Sequence, residues 1–192
     1  LVFLLALMLA LPVLAEGDVQ LVVVNRVEDK VAYPDFEFAE DADLLEVVFP
    51  QMLDCDAILL RCGGETILVD SCKKAFSERI VNMCKQLGIT RIDRVYNTHP
   101  HEDHIGGFRD VIKETEVGEL WICFPQDYND HIKKTVGHAE RAGIPVVQYK
   151  DGDVLTLGDA TIEVWKLEGT RAELNDCSAQ FFITFGERTL LM

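Results

Sequence analysis

The chain has little positive charge. Its 192 residues contain 18 lysines and arginines against 33 aspartates and glutamates, which gives a formal net charge of −15. Proteins that hold nucleic acid contact its phosphates mainly through lysine and arginine, so the acidity argues against nucleic acid as a partner without excluding it. The sequence also lacks internal repeats and low-complexity tracts. Its length suits one domain with a sizeable core.

Cysteine pairs with the spacing of a local zinc chelate are missing. Six cysteines are scattered along the chain and none forms a C-x-x-C pair, so zinc ligation by cysteine is disfavoured. In an exported protein an even number of cysteines permits up to three disulfides, whose connectivity the sequence does not reveal. Cys84 and Cys123 fall on apolar-periodic positions, which predicts buried thiols.

Residues 1–15 form a long uncharged apolar run that ends in Val13-Leu14-Ala15. This pattern predicts a signal peptide, incomplete at its start because no initiating methionine or basic segment precedes it. We therefore expect a secreted, extracellular protein without stable membrane association after cleavage. An uncleaved anchor is the alternative, although a membrane span needs about 20 apolar residues. Residues 16–43 are interpreted as an N-terminal edge strand and a tether, and residues 44–192 as the main domain.

Three of the five histidines lie in the short stretch Thr98-His99-Pro100-His101-Glu102-Asp103-His104. Neutral imidazole and carboxylate bind divalent metals, and burying such groups together is costly unless a cation offsets their desolvation. From an extended segment His99 and His101 can reach one ion, while Asp103 and His104 point to a neighbouring position, which favours a two-metal centre. Gly106-Gly107 is expected to let the backbone pass close to the ions. The alternative is a polar surface loop.

With Ile105-Gly106-Gly107 included, this stretch resembles the signature of the metallo-β-lactamase superfamily, a group of mostly hydrolytic metalloenzymes. Its form resembles the branch that contains the hydrolase domain of ComEC-like competence proteins, and the resemblance covers roughly residues 44–192. It implies that Asp70, at the end of a hairpin strand, supports the metal-binding loop from behind. A turn or helix N-cap role is the alternative for Asp70. The resemblance also implies four metal ligands: His99, His101, Asp103 and His104.

The same branch shows an N-D-x-S pattern before a strand, which the chain matches at Asn175, Asp176 and Ser178. Asp176 is expected to complete a metal shell or to position a water, with Asn175 and Ser178 behind it. An Asx-turn cap is the open alternative. Asp56-Ala57 matches the end of an earlier family motif, but Met52-Leu53-Asp54-Cys55 and Cys72 stand where glycines are usual. Further ligands of the family pattern would lie beyond Met192, so the chain is interpreted as truncated at both ends.

Hydrophobic periodicity predicts alternating strands and helices. Apolar runs flank Gly63-Gly64 as in a β-hairpin, and apolar spacings of three and four residues predict helices over residues 76–87 and 128–142. A strand over residues 92–96 would deliver the histidines to its carboxyl end. The class is α/β (α+β): an αββα sandwich of two mixed sheets with outer helices.

The function that follows is an exported metal-dependent hydrolase. Two divalent ions, zinc in preference to manganese or iron, would convert a bound water to hydroxide near neutral pH and polarise the bond under attack. Asp103 and Asp176 are the candidate catalytic carboxylates. The resemblance points to a phosphodiester or related ester of a small molecule, with nucleic acid less favoured. The alternatives are a non-catalytic metal-binding or interaction module and redox chemistry on a di-iron centre.

Two histidines lie outside the motif, at His131 and His138 in the helix predicted over residues 128–142. They are seven residues apart, about two helical turns or roughly 10 Å, which is too far to share one ion. We expect surface positions or positions at the edge of a substrate site.

Overall fold

The computed structural model describes residues 44–50, 52, 54–167 and 175–192, and the backbone of residues 19–22. Within these ranges the chain forms eleven strands, four α-helices and one 3-10 turn, Lys74–Phe76. The strands are β1 Val19–Val22, β2 Leu45–Val48, β3 Ile58–Cys62, β4 Glu65–Val69, β5 Arg91–Asn97, β6 Glu116–Ile122, β7 Val146–Gln148, β8 Val154–Leu157, β9 Ala160–Trp165, β10 Gln180–Phe185 and β11 Arg188–Leu191. The helices are α1 Ser77–Gln86, α2 Glu102–Ile105, α3 Phe108–Glu114 and α4 Asp130–Arg141.

Strands β1 to β7 form one sheet in sequence order, with β1 as the edge strand that the sequence predicts. Strands β2, β3 and β4 are antiparallel neighbours, whereas β4, β5, β6 and β7 run parallel. Val69 at the end of β4 pairs with Tyr96 near the end of β5. Because parallel strands end at the same edge of a sheet, the residues that follow β4 and β5 meet there.

The seven-stranded sheet is covered on both faces, since alternate residues of a strand point to opposite sides. Val95 of β5 packs in a helix-side core with residues of α1, α3 and α4, such as Ile80 and Phe108. Its neighbour Tyr96 packs on the other face, in an inter-sheet core that includes Phe181 of β10. Both cores bury their apolar side chains almost completely, and this burial is the main stabilising contribution.

The second sheet has the order β11-β10-β9-β8. The predicted layered α/β fold with two sheets is confirmed, but two details differ. The second sheet is antiparallel throughout its described strands, and tight turns at Gly158 and Gly186, both with positive φ, join β8 to β9 and β10 to β11. The described helices contribute buried side chains to the helix-side core and not to the inter-sheet core, so one helix layer of the sandwich is visible.

Local signals explain the element boundaries. Gly63 and Gly64 adopt φ of 58° and 81° in the hairpin turn, as the sequence predicts. Helix α4 begins where the Asn129 side chain accepts a hydrogen bond from the Ile132 amide at 2.9 Å, which satisfies one of the free amides of the first turn. It ends before Gly143, whose φ of 71° a glycine adopts without strain.

Cysteine is present in two states. Cys55 and Cys72 form a disulfide, while Cys84 and Cys123 are buried thiols, as predicted. Cys62 and Cys177 are likewise buried and not disulfide-bonded. No helix in the described ranges is long and apolar enough to cross a membrane. The predicted signal peptide, residues 1–15, and the tether, residues 23–43, lie outside the described residues.

Candidate metal centre

The histidine motif leaves the sheet at the carboxyl end of β5, the position that the sequence predicts. Asn97 closes the strand, and its main-chain oxygen accepts a hydrogen bond from the buried Tyr149 hydroxyl at 2.7 Å. Its side-chain amide donates to the main-chain oxygen of His99, also at 2.7 Å. The amide of Ala179 donates to the oxygen of Thr98 at 2.9 Å. The start of the motif is therefore fixed by both sheets.

After His101 the backbone turns into the short helix α2, and its return passes against the residues after β4. The Ser71 amide donates to the His104 oxygen at 2.6 Å, and the Gly107 amide donates to the Cys72 oxygen at 2.9 Å. A Cβ on Gly107 would lie 2.1 Å from the Ser71 oxygen, and one on Gly106 would lie 2.6 Å from the Glu102 oxygen. The need for glycine at both positions therefore has a reason in the chain itself, because the close neighbour of each is backbone; a close approach of this backbone to metal ions stays a prediction.

The motif gathers the four predicted ligands in one place. The ring centroids of His99 and His104 are 3.7 Å apart, and those of His99 and His101 are 4.9 Å apart. A carboxylate oxygen of Asp103 lies 3.8 Å from Nε2 of His104. The histidine rings thus form one continuous group, in which His99 is closer to His104 than to its expected partner His101.

The buried side chain of Asp70 is hydrogen-bonded to this group. Its carboxylate is 3% exposed and accepts hydrogen bonds from Nδ1 of His104 and from the Thr98 hydroxyl, both at 2.6 Å. It also accepts from the Thr98 amide at 2.8 Å and from the Asn97 side chain at 3.3 Å. A carboxylate on one imidazole nitrogen fixes the tautomer and leaves Nε2 as the metal-binding atom. These contacts are of the kind that the resemblance implies for Asp70, whose supporting role stays a prediction, and none of the described helices has Asp70 as its N-cap.

The environment sets the protonation of two histidines in opposite directions. Burial, with the nearby positive charge of His104, lowers the pKa of His99 to about 4, so His99 is neutral at pH 7, the form that binds metals. Burial also lowers the pKa of His104, but the hydrogen bond and charge of Asp70 outweigh it and raise the pKa overall. The Thr98 hydroxyl donates to Asp70 and lies 3.2 Å from Nδ1 of His99, so it can accept the Nδ1 proton of that ring.

The chemistry of this donor set fits divalent metal ions. The Nδ1 atoms of His104 and His99 lie against Asp70 and the Thr98 hydroxyl, which directs Nε2 of each ring to a cation, and the Asp103 carboxylate lies beside Nε2 of His104. Within the described ranges, however, no three His, Cys, Asp or Glu side chains already converge as a closed metal site. Binding of an ion would therefore require these side chains to rotate towards one another. His101 and Asp103, both partly exposed, have the freedom to do so.

The segment Asn175, Asp176 and Ser178 forms a turn before β10, with the Ser178 amide donating to the Asn175 oxygen at 3.2 Å. Its neighbour Ala179 is bonded to Thr98, so the turn lies beside the motif. The Asp176 side chain is exposed and, among the described residues, has no hydrogen bond or ion pair with the histidines. Its catalytic role stays a prediction, and residues 168–174 before it lie outside the described residues.

His131 and His138 lie on α4 and line a cavity of about 260 Å³ with Lys74, Arg109 and Lys134. His138 accepts a hydrogen bond at Nδ1 from Arg141, 2.9 Å away, and burial together with that charge lowers its pKa. Neither ring contacts a motif histidine in the part of the chain that the structure describes. Both histidines are half-buried, and Glu102 and Gly106 of the motif line the same cavity, so a surface or substrate-edge position stays a prediction for both.

Sequence reasoning missed one residue of the centre and the bond beside it. The Asp56 carboxylate lies 3.6 Å from Nε2 of His104, on the side away from Asp70. The disulfide between Cys55 and Cys72 joins the turn that carries Asp56 to the end of the hairpin, with the two Cα atoms 5.0 Å apart. The sequence did offer a hint of this disulfide, because Cys55 directly precedes Asp56 and Cys72 follows Asp70 by two residues. Spacing alone, however, does not give the connectivity of cysteines.

Comparison with curated proteins finds hydroxyacylglutathione hydrolases. One from Erythrobacter litoralis is 29% identical over 125 residues, which are 63% of this chain and 42% of that protein. One from a Synechococcus strain is 40% identical over 53 residues, 28% of this chain and 19% of that protein. The chain therefore matches less than half the length of either relative.

Solved structures show the same fold. A motif mutant of a metallo-beta-lactamase from Cronobacter sakazakii superposes with a TM-score of 0.56 at 20% identity, covering 76% of this chain and 59% of that one. The native FEZ-1 metallo-beta-lactamase from Legionella gormanii gives 0.55 at 16% identity, covering 76% and 58%. The sequence model of the Metallo-beta-lactamase superfamily matches residues 51–191. The chain belongs to this superfamily.

Proposed function

We propose that this protein is a metal-dependent hydrolase whose centre holds two divalent ions, zinc being the best match to its imidazole and carboxylate donors. The observation that carries the proposal is the grouping of His99, His101, Asp103 and His104 at the end of β5. The relatives named as hydroxyacylglutathione hydrolases support hydrolysis as the reaction class.

Bound ions would supply a water of lowered pKa and would polarise the bond under attack. Three residues of the chain provide the groups and the orientation that such ions need. His99 is kept neutral by burial, Asp70 orients the His104 ring, and Asp103 places a carboxylate beside Nε2 of that ring. Asp176, in the turn next to Thr98, is the proposed second carboxylate, with Asn175 and Ser178 supporting its position.

The substrate proposed from the motif is a phosphodiester or related ester, as the resemblance to the ComEC-like branch suggests. The relatives favour a second candidate, a hydroxyacylglutathione. The formal charge of −15 argues against a large polyanion such as nucleic acid. A non-catalytic metal-binding module of the same fold is the alternative of another class, and di-iron redox chemistry is a further one.

We also propose that the protein is exported and has no stable membrane association after its signal peptide is removed. Support comes from the apolar run at residues 1–15 and from the disulfide between Cys55 and Cys72, since disulfides persist mainly in oxidising compartments. Secretion of a reporter fused to the segment from the natural start of the gene through residue 17 would test this. Retention of the reporter in the cytoplasm would refute it.

The activity test uses the full-length gene product, loaded with zinc or manganese and given bis(4-nitrophenyl) phosphate or a hydroxyacylglutathione. We expect metal-dependent turnover of one of them, lost in His101→Ala and retained in His131→Ala, which removes a histidine outside the centre. Turnover of the thioester alone would select the second substrate. A folded, metal-loaded protein that cleaves neither would contradict the hydrolase proposal and favour the binding module.

A further inference from the structure

We propose that Asp56 is an additional metal ligand of this chain, shared with Asp103 and His104; the inference rests on the proposed metal centre. Nδ1 of His104 is bonded to Asp70, so Nε2 is the nitrogen free for a cation. Two carboxylates face that atom, with oxygens of Asp56 and Asp103 at 3.6 Å and 3.8 Å. Asp56 thus has the same relation to His104 as the ligand that the motif assigns.

The distances suit a common ion. Nitrogen and oxygen ligands bind zinc at about 2.1 Å, and two ligands in tetrahedral arrangement are then about 3.4 Å apart. The separations of 3.6 Å and 3.8 Å from Nε2 are close to this spacing, and rotation of the two partly or fully exposed carboxylates would have to bring all three groups around one cation. A direct hydrogen bond would instead require about 2.7–3.2 Å, so neither carboxylate is bonded to Nε2 directly.

The backbone of Asp56 is tied to the motif on both sides. The Asp56 amide donates to the main-chain oxygen of Asp103 at 3.4 Å, and the main-chain oxygen of Asp56 accepts from the Cys72 amide at 3.0 Å. The disulfide between Cys55 and Cys72 closes the same connection covalently. Cys72 is in turn bonded to Gly107 at the end of the motif turn. Asp56 is thereby held at the mouth of the centre.

The Asp56 side chain is otherwise free for this role. It is 69% exposed, and its described electrostatic neighbour is His104. Its nearby counterpart Asp54 has a different partner, since one oxygen of Asp54 lies 2.5 Å from the Lys73 amine. Asp54 is also exposed and lies in the same turn, so it provides a control for general effects of removing a negative charge.

The test compares zinc binding by wild-type protein, Asp56→Asn and Asp54→Asn, using metal analysis after dialysis and competition with a chromophoric chelator. Loss of a residue that is hydrogen-bonded to a metal ligand weakens metal binding about 10–100-fold. We expect Asp56→Asn to lower the affinity for one of the two ions by at least this factor. Asp54→Asn should bind as the wild type does. Circular dichroism of the metal-free proteins should be unchanged, because the Asp56 carboxylate is on the surface.

Equal affinities for wild type and Asp56→Asn would overturn the inference while leaving the metal centre intact. No binding by folded wild-type protein would overturn both the inference and the proposed function. The disulfide is tested by Cys55→Ser with Cys72→Ser in both backgrounds. If the disulfide acts by positioning Asp56, its removal weakens binding in the wild type more than in Asp56→Asn. An equal loss in both backgrounds would refute that positioning role.

Discussion

Replacing Asp70 by asparagine isolates its electrostatic role. Asp70 adopts φ of 60°, a conformation that asparagine tolerates better than most residues, so the substitution adds little backbone strain. The carboxamide keeps one acceptor oxygen, but its amino group must face donors in either orientation: Nδ1 of His104 and the Thr98 hydroxyl at one position, or the Thr98 amide and the Asn97 side chain at the other. Hydrogen bonds to charged groups contribute about 1.5–3 kcal/mol each. We expect the free energy of unfolding of the metal-free protein to fall by about 2–4 kcal/mol.

Metal affinity should fall as well, by about 10–100-fold, because the His104 ring loses the partner that fixes its tautomer. Urea unfolding and chelator competition measure the two effects separately. Asp93→Asn is the matched control, since Asp93 also accepts a backbone amide, from Thr66 at 2.9 Å, but lies away from the motif. It should lower stability without changing metal affinity. A folded Asp70→Asn protein that binds metal as tightly as the wild type would refute the reasoning.

Three further predictions use other parts of the chain. Gly107→Ala should abolish metal binding, because its Cβ would clash with the backbone. Gly137→Ala, inside α4 and close only to the end of a flexible side chain, should instead raise the free energy of unfolding by about 0.5–1 kcal/mol. Thermal unfolding and metal analysis of both variants check this. Because the folded pKa of His99 is about 4 and the unfolded value about 6.5, the unfolded chain binds the proton first, so metal-free stability should fall by about 3 kcal/mol as the pH drops from 6.5 to 4. A slope that is unchanged in His99→Gln would contradict this. Burial raises the pKa of Cys84 to about 11 and that of Cys123 to about 12, so a thiol reagent at pH 8 should label neither until the protein unfolds.

The strength of local sequence signals explains how much of the structure they predict. Helix α4 carries an apolar stripe, an Asn129 cap and a terminal Gly143, so its limits follow from the sequence within two residues. The motif histidines lie within six residues of one another, so the pattern that predicts them as ligands requires no knowledge of distant contacts. Asp70 was found only through the family resemblance, because the pairing of β4 with β5 that brings it to His104 is a non-local contact.

Other features depend on packing that sequence patterns do not encode. The pairing of Cys55 with Cys72, among six cysteines, is set by where the hairpin end meets the turn before β3. The approach of Asp56 to His104 follows from that same meeting. The close contact at Gly107 is likewise between backbone segments, so the need for glycine was predicted but its neighbour was not. Short turns account for two antiparallel pairs of the second sheet, β8 with β9 and β10 with β11, whereas the pairing of β9 with β10 spans a long connection that sequence patterns do not resolve.

The metal content of the folded full-length gene product tests the central claim most directly. Purified protein would be loaded with zinc, dialysed and analysed for metal per chain, beside His101→Ala. A two-metal centre predicts about two ions per chain in the wild type and a loss of binding in His101→Ala. Folded wild-type protein that retains no metal at neutral pH would contradict the proposed metal centre.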